Sequence, residues 1–437
     1  MDLNKFKIKH YTHFDKKIPV ERVIDNIASP DWVTRHGFYP FIHFKLTFYK
    51  YNKIEREKKE KSRDLYYASH IDSYIFKYYG DMLNHRYNEV ANKLEINEVA
   101  TAYRNNHNGK CNIHFAKEVI DFIKEQKKAF IYVADFDSFF DNLDHRYLKE
   151  KLKYVLDEDK LPDDYYALFK NVTQFNWVDK EIIEEVLKKK YKSNEKIKER
   201  TKLRYFDEKE FRKFKKSNKK IVHTNKKGFG IPQGAGVSSV FSNIYLIDFD
   251  KQINEYVRLY NGIYRRYCDD LIIIIPFEDE VKEYHYNDHI KFIEKVYGGI
   301  CRLKIQPEKT EKRIYDNNQI YDESLRPSKL DYLGFVFDGI NVKIREKSLF
   351  KYYSRAYKNV RLSNWKSNEY GRIKYRKNLY KLYSHLGKNK NGYGNFLSYV
   401  TKSQEIFDTS GSTNNLMENQ VKNHWKYINR KLDFPKK

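Results

Sequence analysis

The sequence of 437 residues has little cysteine and no long apolar run. Its three cysteines, Cys111, Cys268 and Cys301, are odd in number and scattered, which argues against a disulfide framework or a zinc site and predicts a reducing, cytoplasmic setting. No apolar stretch approaches the roughly 20 residues of a membrane-spanning helix, and the first residues are too charged for a signal peptide. The length allows two or three packed subdomains.

Acidic residues are too few to balance the basic ones. Lys and Arg total 85 against 60 Asp and Glu, a formal net charge of +25. This excess favours a polyanionic partner, and nucleic acid is the natural one. A membrane surface is the competing polyanion, but the sequence contains no segment that would span it.

Two adjacent aspartates, Asp269 and Asp270, precede the apolar residues 271–275. The apolar run predicts a buried strand, and the aspartates predict a tight turn at its start. Two carboxylates this close repel each other unless a cation lies between them, and Mg²⁺ prefers such oxygen ligands. An ordinary acidic hairpin turn is the alternative interpretation.

A second apolar run, residues 131–134, ends at Asp135. Carboxylates that converge from separate strands are what two-metal phosphoryl transfer requires. Between the two acidic segments lies a glycine-rich stretch, residues 228–236, followed by a predicted helix from about Ser238 through Leu246. A glycine-rich turn with no ligand would explain that stretch equally well.

The order of these segments resembles the reverse transcriptases, specifically the bacterial branch that includes retron, group II intron and defence-associated enzymes. Residues 135–145 resemble motif A of that family, residues 230–246 motif B, and residues 267–270, Tyr-Cys-Asp-Asp, motif C. Residues 303–311 resemble motif D, and residues 330–335 resemble motif E. The resemblance covers about residues 135–335.

The resemblance implies an α+β fold of the right-hand polymerase type, with fingers, palm and thumb. The palm would contain an antiparallel sheet, and the thumb would be helical. We expect an N-terminal extension and fingers in residues 1–125, the palm in 126–345 and the thumb in 346–437. A basic segment, residues 188–227, is interpreted as a projecting insertion or mobile loop before motif B.

Local patterns predict several individual elements. Helical spacing predicts helices over residues 72–94, 147–156, 163–173, 349–364, 374–386, 393–406 and 416–432. Residues 1–49 are predicted to be an irregular and helical cap, and the charged run 53–61 a solvated helix face or loop.

The resemblance also assigns site residues. It implies two Mg²⁺ ions, with Mn²⁺ as an alternative, held by Asp135, Asp269, Asp270 and the backbone carbonyl of Phe136; the three aspartates would be catalytic. It leaves Asp137 and Asp141 outside the metal site. Nucleotide contacts are assigned to Arg104, Lys110, Phe140, Gln233, Gly234 and Lys309, with Arg63 as a further candidate. Primer and template contacts are assigned to Tyr267, Ser238, Tyr332, Leu333 and Gly334.

Phe140 lies where the resembled polymerases place an aromatic ring beneath the incoming sugar. A ring at that place would exclude a 2′-hydroxyl by overlap. The alternative is that Phe140 is a core aromatic beside Phe139.

The implied function is RNA-directed DNA synthesis, with an RNA template, a DNA product and dNTPs as partners. Val400-Thr401 is followed by Lys402, where retron enzymes show Val-Thr-Gly, and this favours the defence-associated subgroup, some of whose members copy an adjacent non-coding RNA. Template-independent or protein-primed synthesis is the alternative. A third hypothesis is an inactive RNA-binding scaffold, and the oligomeric state stays open.

Overall fold

A computed structural model describes residues 6, 8–52, 57–107, 109–191, 193–217, 221–277, 284–387 and 394–432 of the chain. Helices and largely antiparallel sheets alternate along it, which confirms the predicted α+β class. Within these ranges, no helix combines the length and the apolar character that crossing a bilayer demands.

The elements are numbered in chain order. The strands are β1 (Phe41–Asn52), β2 (Glu57–Tyr67), β3 (Lys128–Asp135), β4 (Asn176–Asp179), β5 (His223–Thr224), β6 (Ile263–Tyr267), β7 (Asp270–Pro276), β8 (Glu311–Asp316), β9 (Gln319–Tyr321), β10 (Leu330–Tyr332), β11 (Phe335–Phe337), β12 (Asn341–Ile344) and β13 (Asn414–Asn415). The helices are α1 (Ile24–Ile27), α2 (Pro30–Arg35), α3 (His70–Lys93), α4 (Asn112–Glu125), α5 (His145–Leu156), α6 (Asp163–Thr173), α7 (Lys180–Lys190), α8 (Asn194–Thr201), α9 (Glu208–Ser217), α10 (Ser238–Tyr245), α11 (Ile247–Arg258), α12 (Tyr284–Gly298), α13 (Glu346–Tyr370), α14 (Arg376–Tyr383), α15 (Phe396–Asp408), α16 (Met417–Val421) and α17 (His424–Asn429).

The central sheet has five strands in the order β6-β7-β3-β8-β9, and every neighbouring pair is antiparallel. Residues 271–275 of β7 are all buried, because both faces of the sheet are covered. Leu271, Ile273 and Ile275 pack into the larger core with α10 and α11, while Ile272 and Ile274 pack on the other face with α4. The continuous apolar run therefore follows from burial on two sides.

A second sheet, in the order β2-β1-β4-β5, is built on the long β1–β2 hairpin. The predictions for residues 1–49 and 53–61 were wrong here, because residues 41–52 and 57–67 are strands; residues 53–56 lie outside the described ranges. Apolar residues at every second position, Ile42, Phe44, Leu46 and Phe48, were the signal for β1. The many lysines of β2 are accommodated because the outer part of the hairpin is exposed.

The basic segment 188–227 differs from its prediction as a projecting or mobile loop. Helices α8 and α9 form within it, and Phe206, Phe211 and Phe214 are buried against Phe14 of the N-terminal segment. The ring centroids of Phe14 and Phe211 are 4.4 Å apart. A few aromatic residues among many lysines are enough to anchor the segment, because each ring buries a large apolar surface.

A third sheet, in the order β10-β11-β12-β13, joins the helical C-terminal region to the central sheet. Helices α13, α14 and α15 lie where helices were predicted, although Tyr393 falls outside the described residues. The predicted helix 416–432 is instead two short helices, α16 and α17. Residues of helices α4 and α15 belong to the same hydrophobic core. The boundaries between fingers, palm and thumb at residues 125 and 345 stay predictions.

We expect Phe14→Ala to destabilise the protein by about 3–5 kcal/mol, because it removes a ring that is 1% exposed and packs on the α9 segment. Denaturant unfolding measures the loss, and limited proteolysis should show faster cleavage within residues 193–217. Phe350→Ala is the matched control, because Phe350 is 69% exposed and its loss should change stability by less than about 0.5 kcal/mol. Equal effects of the two substitutions would contradict the packed arrangement.

Candidate active site

The turn between β6 and β7 carries the paired aspartates. Tyr267 and Asp270 are opposite each other in the hairpin, so Cys268 and Asp269 form its tip. Cys268 has a φ of 63°, a left-handed conformation that tightens the turn at some conformational cost. The carbonyl oxygen of Asp269 accepts a hydrogen bond from the amide of Phe136 at 3.3 Å. The tip is thereby fixed against the end of β3.

Strand register brings the third aspartate to the same place. Asp135, the last residue of β3, is directly opposite Asp270. Burial raises the pKa of Asp135; its ion pair with Lys309 opposes this rise, and the charge of Asp269 adds to it. The Oδ1 atom of Asp135 is buried and has no hydrogen-bond partner among the described residues. The structure therefore brings Asp135, Phe136, Asp269, Asp270 and Lys309 together.

Asp270 lies on the exposed rim of this cluster, yet its carboxyl group is partly shielded by the surrounding protein. This desolvation, with the charges of Asp269 and Asp135, raises the pKa of Asp270 to about 6. Arg345 and Lys309 oppose the rise. The ionised forms of these carboxyl groups are therefore disfavoured. A bound cation would stabilise the ionised forms.

The aspartate cluster could supply some, but not all, of the ligands of a divalent cation. In the part of the chain that the structure describes, no group of three or more His, Cys, Asp or Glu side chains is arranged to hold a metal ion by itself. Mg²⁺, however, is commonly bound by one or two carboxylates together with water and substrate phosphates. The unpartnered Oδ1 atom of Asp135 beside Asp269 offers an open site of that kind.

Beneath the turn lies a buried ion pair that the sequence analysis missed. Arg266 and Asp250 are both 0% exposed, and the guanidinium donates to the carboxylate at 2.9 and 2.5 Å. The same guanidinium donates to the carbonyl of Cys268 at 3.0 Å and to Asn243 Oδ1 at 3.1 Å. Tyr264 also donates to Asp250, at 2.8 Å. Strand alternation in β6, which puts Arg266 on the same face as Tyr264, was the available signal.

The glycine-rich stretch is held against strand β2. The carbonyl of Gln233 accepts from the amide of Tyr66 at 3.0 Å, and Gly234 has a φ of 123°. A Cβ atom at Gly234 would lie 2.0 Å from the carbonyl oxygen of Tyr66, so only glycine fits. Ser238 is buried and donates to the carbonyl of Pro232 at 2.8 Å. Gln233, Gly234 and Ser238 thus shape this loop.

The remaining predicted contact residues differ in how deeply they are buried. Phe140 is half-buried, with its ring centroid 5.4 Å from that of Phe139. Tyr267 is half-buried, and Tyr332 is buried with an unpartnered hydroxyl among the described residues. Leu333 and Gly334, at φ 46° and 94°, form the turn between β10 and β11.

Three further cations were predicted to contact the nucleotide. The guanidinium of Arg104 donates to Asn88, Asn97 and the carbonyl of Ala100, so it supports the local fold. Lys110 is exposed before α4, and Arg63 is exposed on β2. Within the described ranges, none of these three is hydrogen-bonded or ion-paired with Asp135, Asp269 or Asp270. Their nucleotide contacts stay predictions.

Comparison with known families decides the assignment. Residues 73–337 match the family model described as reverse transcriptase (RNA-dependent DNA polymerase). This chain belongs to the reverse transcriptase family. The matched range contains the turn, the glycine-rich loop and all three aspartates of the cluster, and members of this family generally use divalent metal ions.

The solved structures that resemble this reverse transcriptase have low sequence identity to it. An apo telomerase from Candida tropicalis, truncated from its C-terminal domain, is 12% identical over 74% of this chain and 60% of that one, with a TM-score of 0.43. A telomerase from Candida albicans in complex with a TWJ fragment of telomeric RNA is 11% identical over 95% and 59%, with a TM-score of 0.44. The chain thus spans about three fifths of their length, and at these values the likeness adds nothing to the family assignment. A comparison with curated proteins gives no match.

The raised pKa of Asp270 predicts how pH affects the metal-free protein. Because the folded state holds this proton more tightly than the unfolded state, ionising Asp270 should lower stability as the pH rises from about 4 to about 6. Asp270→Asn removes this titration. We therefore expect the urea midpoint of Asp270→Asn minus that of the parent, both measured with a chelator present, to increase as the pH rises from about 4 to about 6. A constant difference would contradict the raised pKa.

Arg266→Met should destabilise the protein by about 3–5 kcal/mol, because it leaves the carboxylate of Asp250 buried without its charge partner. The matched control is Arg258→Met, which breaks an exposed pair with Glu95 and should cost about 0–1 kcal/mol. Denaturant unfolding at neutral pH measures both. Similar losses for the two variants would show that the buried pair contributes no more than a surface pair.

Proposed function

We propose that this chain is an RNA-directed DNA polymerase whose reaction centre is the cluster of Asp135, Asp269 and Asp270. The observation that supports it is the convergence of three carboxylates from β3 and the β6–β7 turn, with one buried oxygen unpartnered among the described residues. Family membership supports the polymerase class. The presence of all three aspartates argues against an inactive scaffold.

In this proposal Asp135, Asp269 and the carbonyl of Phe136 hold two Mg²⁺ ions, with Asp270 assisting. When bound, such ions lower the pKa of the primer 3′-hydroxyl and neutralise the charge of the triphosphate. Lys309 is about half exposed and pairs with Asp135, so its ammonium group can turn to an incoming phosphate. Gln233 and Gly234 shape the nucleotide side of the cleft, and Tyr267, Ser238 and residues 332–334 the primer side.

The helical C-terminal region has exposed cations that would bind the phosphates of a nucleic-acid product. The outward face of α13 carries Lys351, Arg355, Lys358 and Arg361, all exposed. A cavity of about 510 Å³ beside it is lined by Lys351, Arg355 and Lys381. Cations of this kind bind phosphates without reading bases, which is what a polymerase thumb needs.

We infer that the template is a non-coding RNA and that the chain acts in cytoplasmic antiphage defence, as in the defence-associated reverse transcriptases. This step is supported by the sequence resemblance alone. Sequencing of co-purified nucleic acid and a phage-challenge assay test it. Synthesis that needs no RNA, or a product that stays bound to protein until protease treatment, would favour the template-independent or protein-primed alternative.

Replacing Asp269 and Asp270 together by Ala should abolish nucleotide incorporation, because the turn then contributes no carboxylate. Folding and RNA binding should persist. The control is Asp137→Asn, which changes an exposed aspartate that is bonded to Gln306 at 2.6 Å and lies outside the proposed metal set. Primer extension with labelled dNTPs measures the effect. Retained synthesis by the double variant would refute the catalytic assignment.

Phe140→Val should raise incorporation of ribonucleotides relative to deoxyribonucleotides, because a smaller side chain leaves room for the 2′-hydroxyl. The ratio of kcat/KM for rNTP and dNTP measures this selection. Phe139→Leu is the control, because Phe139 is buried in the core and should affect stability more than sugar choice. An active Phe140→Val enzyme with the parent's selectivity would make Phe140 a packing residue.

A further inference from the structure

A groove that is not lined by any of the three aspartates crosses the surface beside α5 and α6. It consists of two cavities, of about 870 and 470 Å³, whose walls share Gln174 and Thr224. We call it the basic groove and define it by six lining residues: Arg146, Tyr166, Lys170, Gln174, Lys226 and Lys227.

A fixed segment, residues 225–230, borders the groove. Residues 226–228 line the first cavity, whereas Gly230 packs against Asp141, where a Cβ atom would lie 2.9 Å from the carbonyl oxygen. Asn225 holds the segment in place by donating to the carbonyls of Thr173, Phe229 and Gly230 at 2.9–3.1 Å. None of the residues assigned above to metal, nucleotide or primer lines the groove.

The groove carries unbalanced positive charge. Arg146, Lys170 and Lys226 are exposed, and no acidic residue of the described ranges forms an ion pair with them. Elsewhere on the surface, many cations are paired, as Lys151 is with Asp248. Asp144 and Asp163 also line the groove, and the carboxylate of Asp144 already accepts the amide of Tyr147 at 2.9 Å. A polyanion would relieve the mutual repulsion of the cations.

One exposed ring, that of Tyr166, and the exposed amide of Gln174 accompany these cations. Tyr166 is 44% exposed, with Lys149 5.2 Å from its ring centroid. Phe229 follows the lining residue Gly228, but its ring is half-buried and is covered by the guanidinium of Arg302, 3.6 Å from the ring centroid. Basic grooves with exposed aromatic rings are typical of single-stranded nucleic-acid sites, because unpaired bases can stack on the rings.

We propose that the basic groove binds single-stranded RNA, without sequence preference, as a second contact for the template outside the copying cleft. The identity of this strand as template rests on the proposed polymerase function. The electrostatic contact itself depends only on the groove. A strand anchored here would keep the RNA associated while the cleft releases and rebinds its duplex.

The first test measures affinity for a labelled single-stranded RNA of mixed sequence over a range of salt concentrations. The triple variant Arg146→Ala, Lys170→Ala and Lys226→Ala should reduce the slope of log affinity against log salt by about 2, at roughly 0.7 for each lost phosphate contact. The matched control removes the exposed Lys93, Lys196 and Lys198, which line neither cavity, and should leave the slope closer to that of the parent. An unchanged slope in the groove variant, or an equal change in the control, would overturn the proposal.

The second test separates the groove from the cleft. A short RNA–DNA template–primer duplex with an overhang of only a few nucleotides should be extended by the groove variant as fast as by the parent. A loss of extension in proportion to the loss of RNA binding would place the groove within the catalytic cleft and overturn the proposal. If the parent extends no primer while the salt slope still falls in the variant, the polymerase function fails and the groove stands.

The third test identifies the class of ligand. Tyr166→Ala should weaken binding of single-stranded RNA while binding of a duplex RNA of equal length stays unchanged, because duplex bases cannot stack on the ring. An equal loss for both RNAs would overturn the assignment to a single strand. Binding of the parent to anionic vesicles that is lost in the groove variant would point to a membrane surface instead, and would also overturn it.

Discussion

The buried pair of Arg266 and Asp250 is the interaction on which the arrangement of the proposed reaction centre depends. The guanidinium reaches the carbonyl of Cys268 at the tip of the turn and the amide oxygen of Asn243 in α10. The backbone of Arg266 also bonds to the segment before α4, where Thr101 donates to its carbonyl at 2.9 Å. A charge that is 0% exposed cannot leave its partner without a large desolvation cost, so it fixes these elements relative to one another.

That rigidity matters because the carboxylates of the site repel one another. Burial raises the pKa values of Asp135 and Asp270, and the charges of the neighbouring aspartates add to the rise. In a flexible loop such groups would move apart. Here β3 and β7 lie in the middle of a sheet covered on both faces, and Lys309 alone pairs directly with Asp135 among the described residues. The core therefore maintains a concentration of negative charge that a divalent cation can neutralise.

The segment from Asn225 to Ser238 contacts the turn after Asp135 and strand β2, and it lines part of the basic groove. At Gly230 it packs on the turn that follows Asp135, and at Gly234 it crosses the backbone of Tyr66 in β2. Its first residues line the basic groove. A displacement of this segment would change the groove, the glycine-rich loop and the base of the β1–β2 hairpin at the same time. The proposed second RNA contact would thereby be adjacent to the cleft without being part of it.

The sequence by itself determined the two acidic strands, the glycine-rich loop and the helices α3, α5, α6, α10, α13, α14 and α15. Those features are local: residues 271–275 are apolar at every position, and Asp135 and Asp269 stand at strand ends where a motif can be recognised. The tertiary structure alone decided which distant residues meet. Arg266 pairs with Asp250, sixteen residues away, Phe14 packs on Phe211, and Arg104 donates to its own neighbours Asn88 and Asn97. Single positions do not specify such contacts, because they form only when burial makes an unpaired charge or an exposed ring costly, and the fold determines where burial occurs.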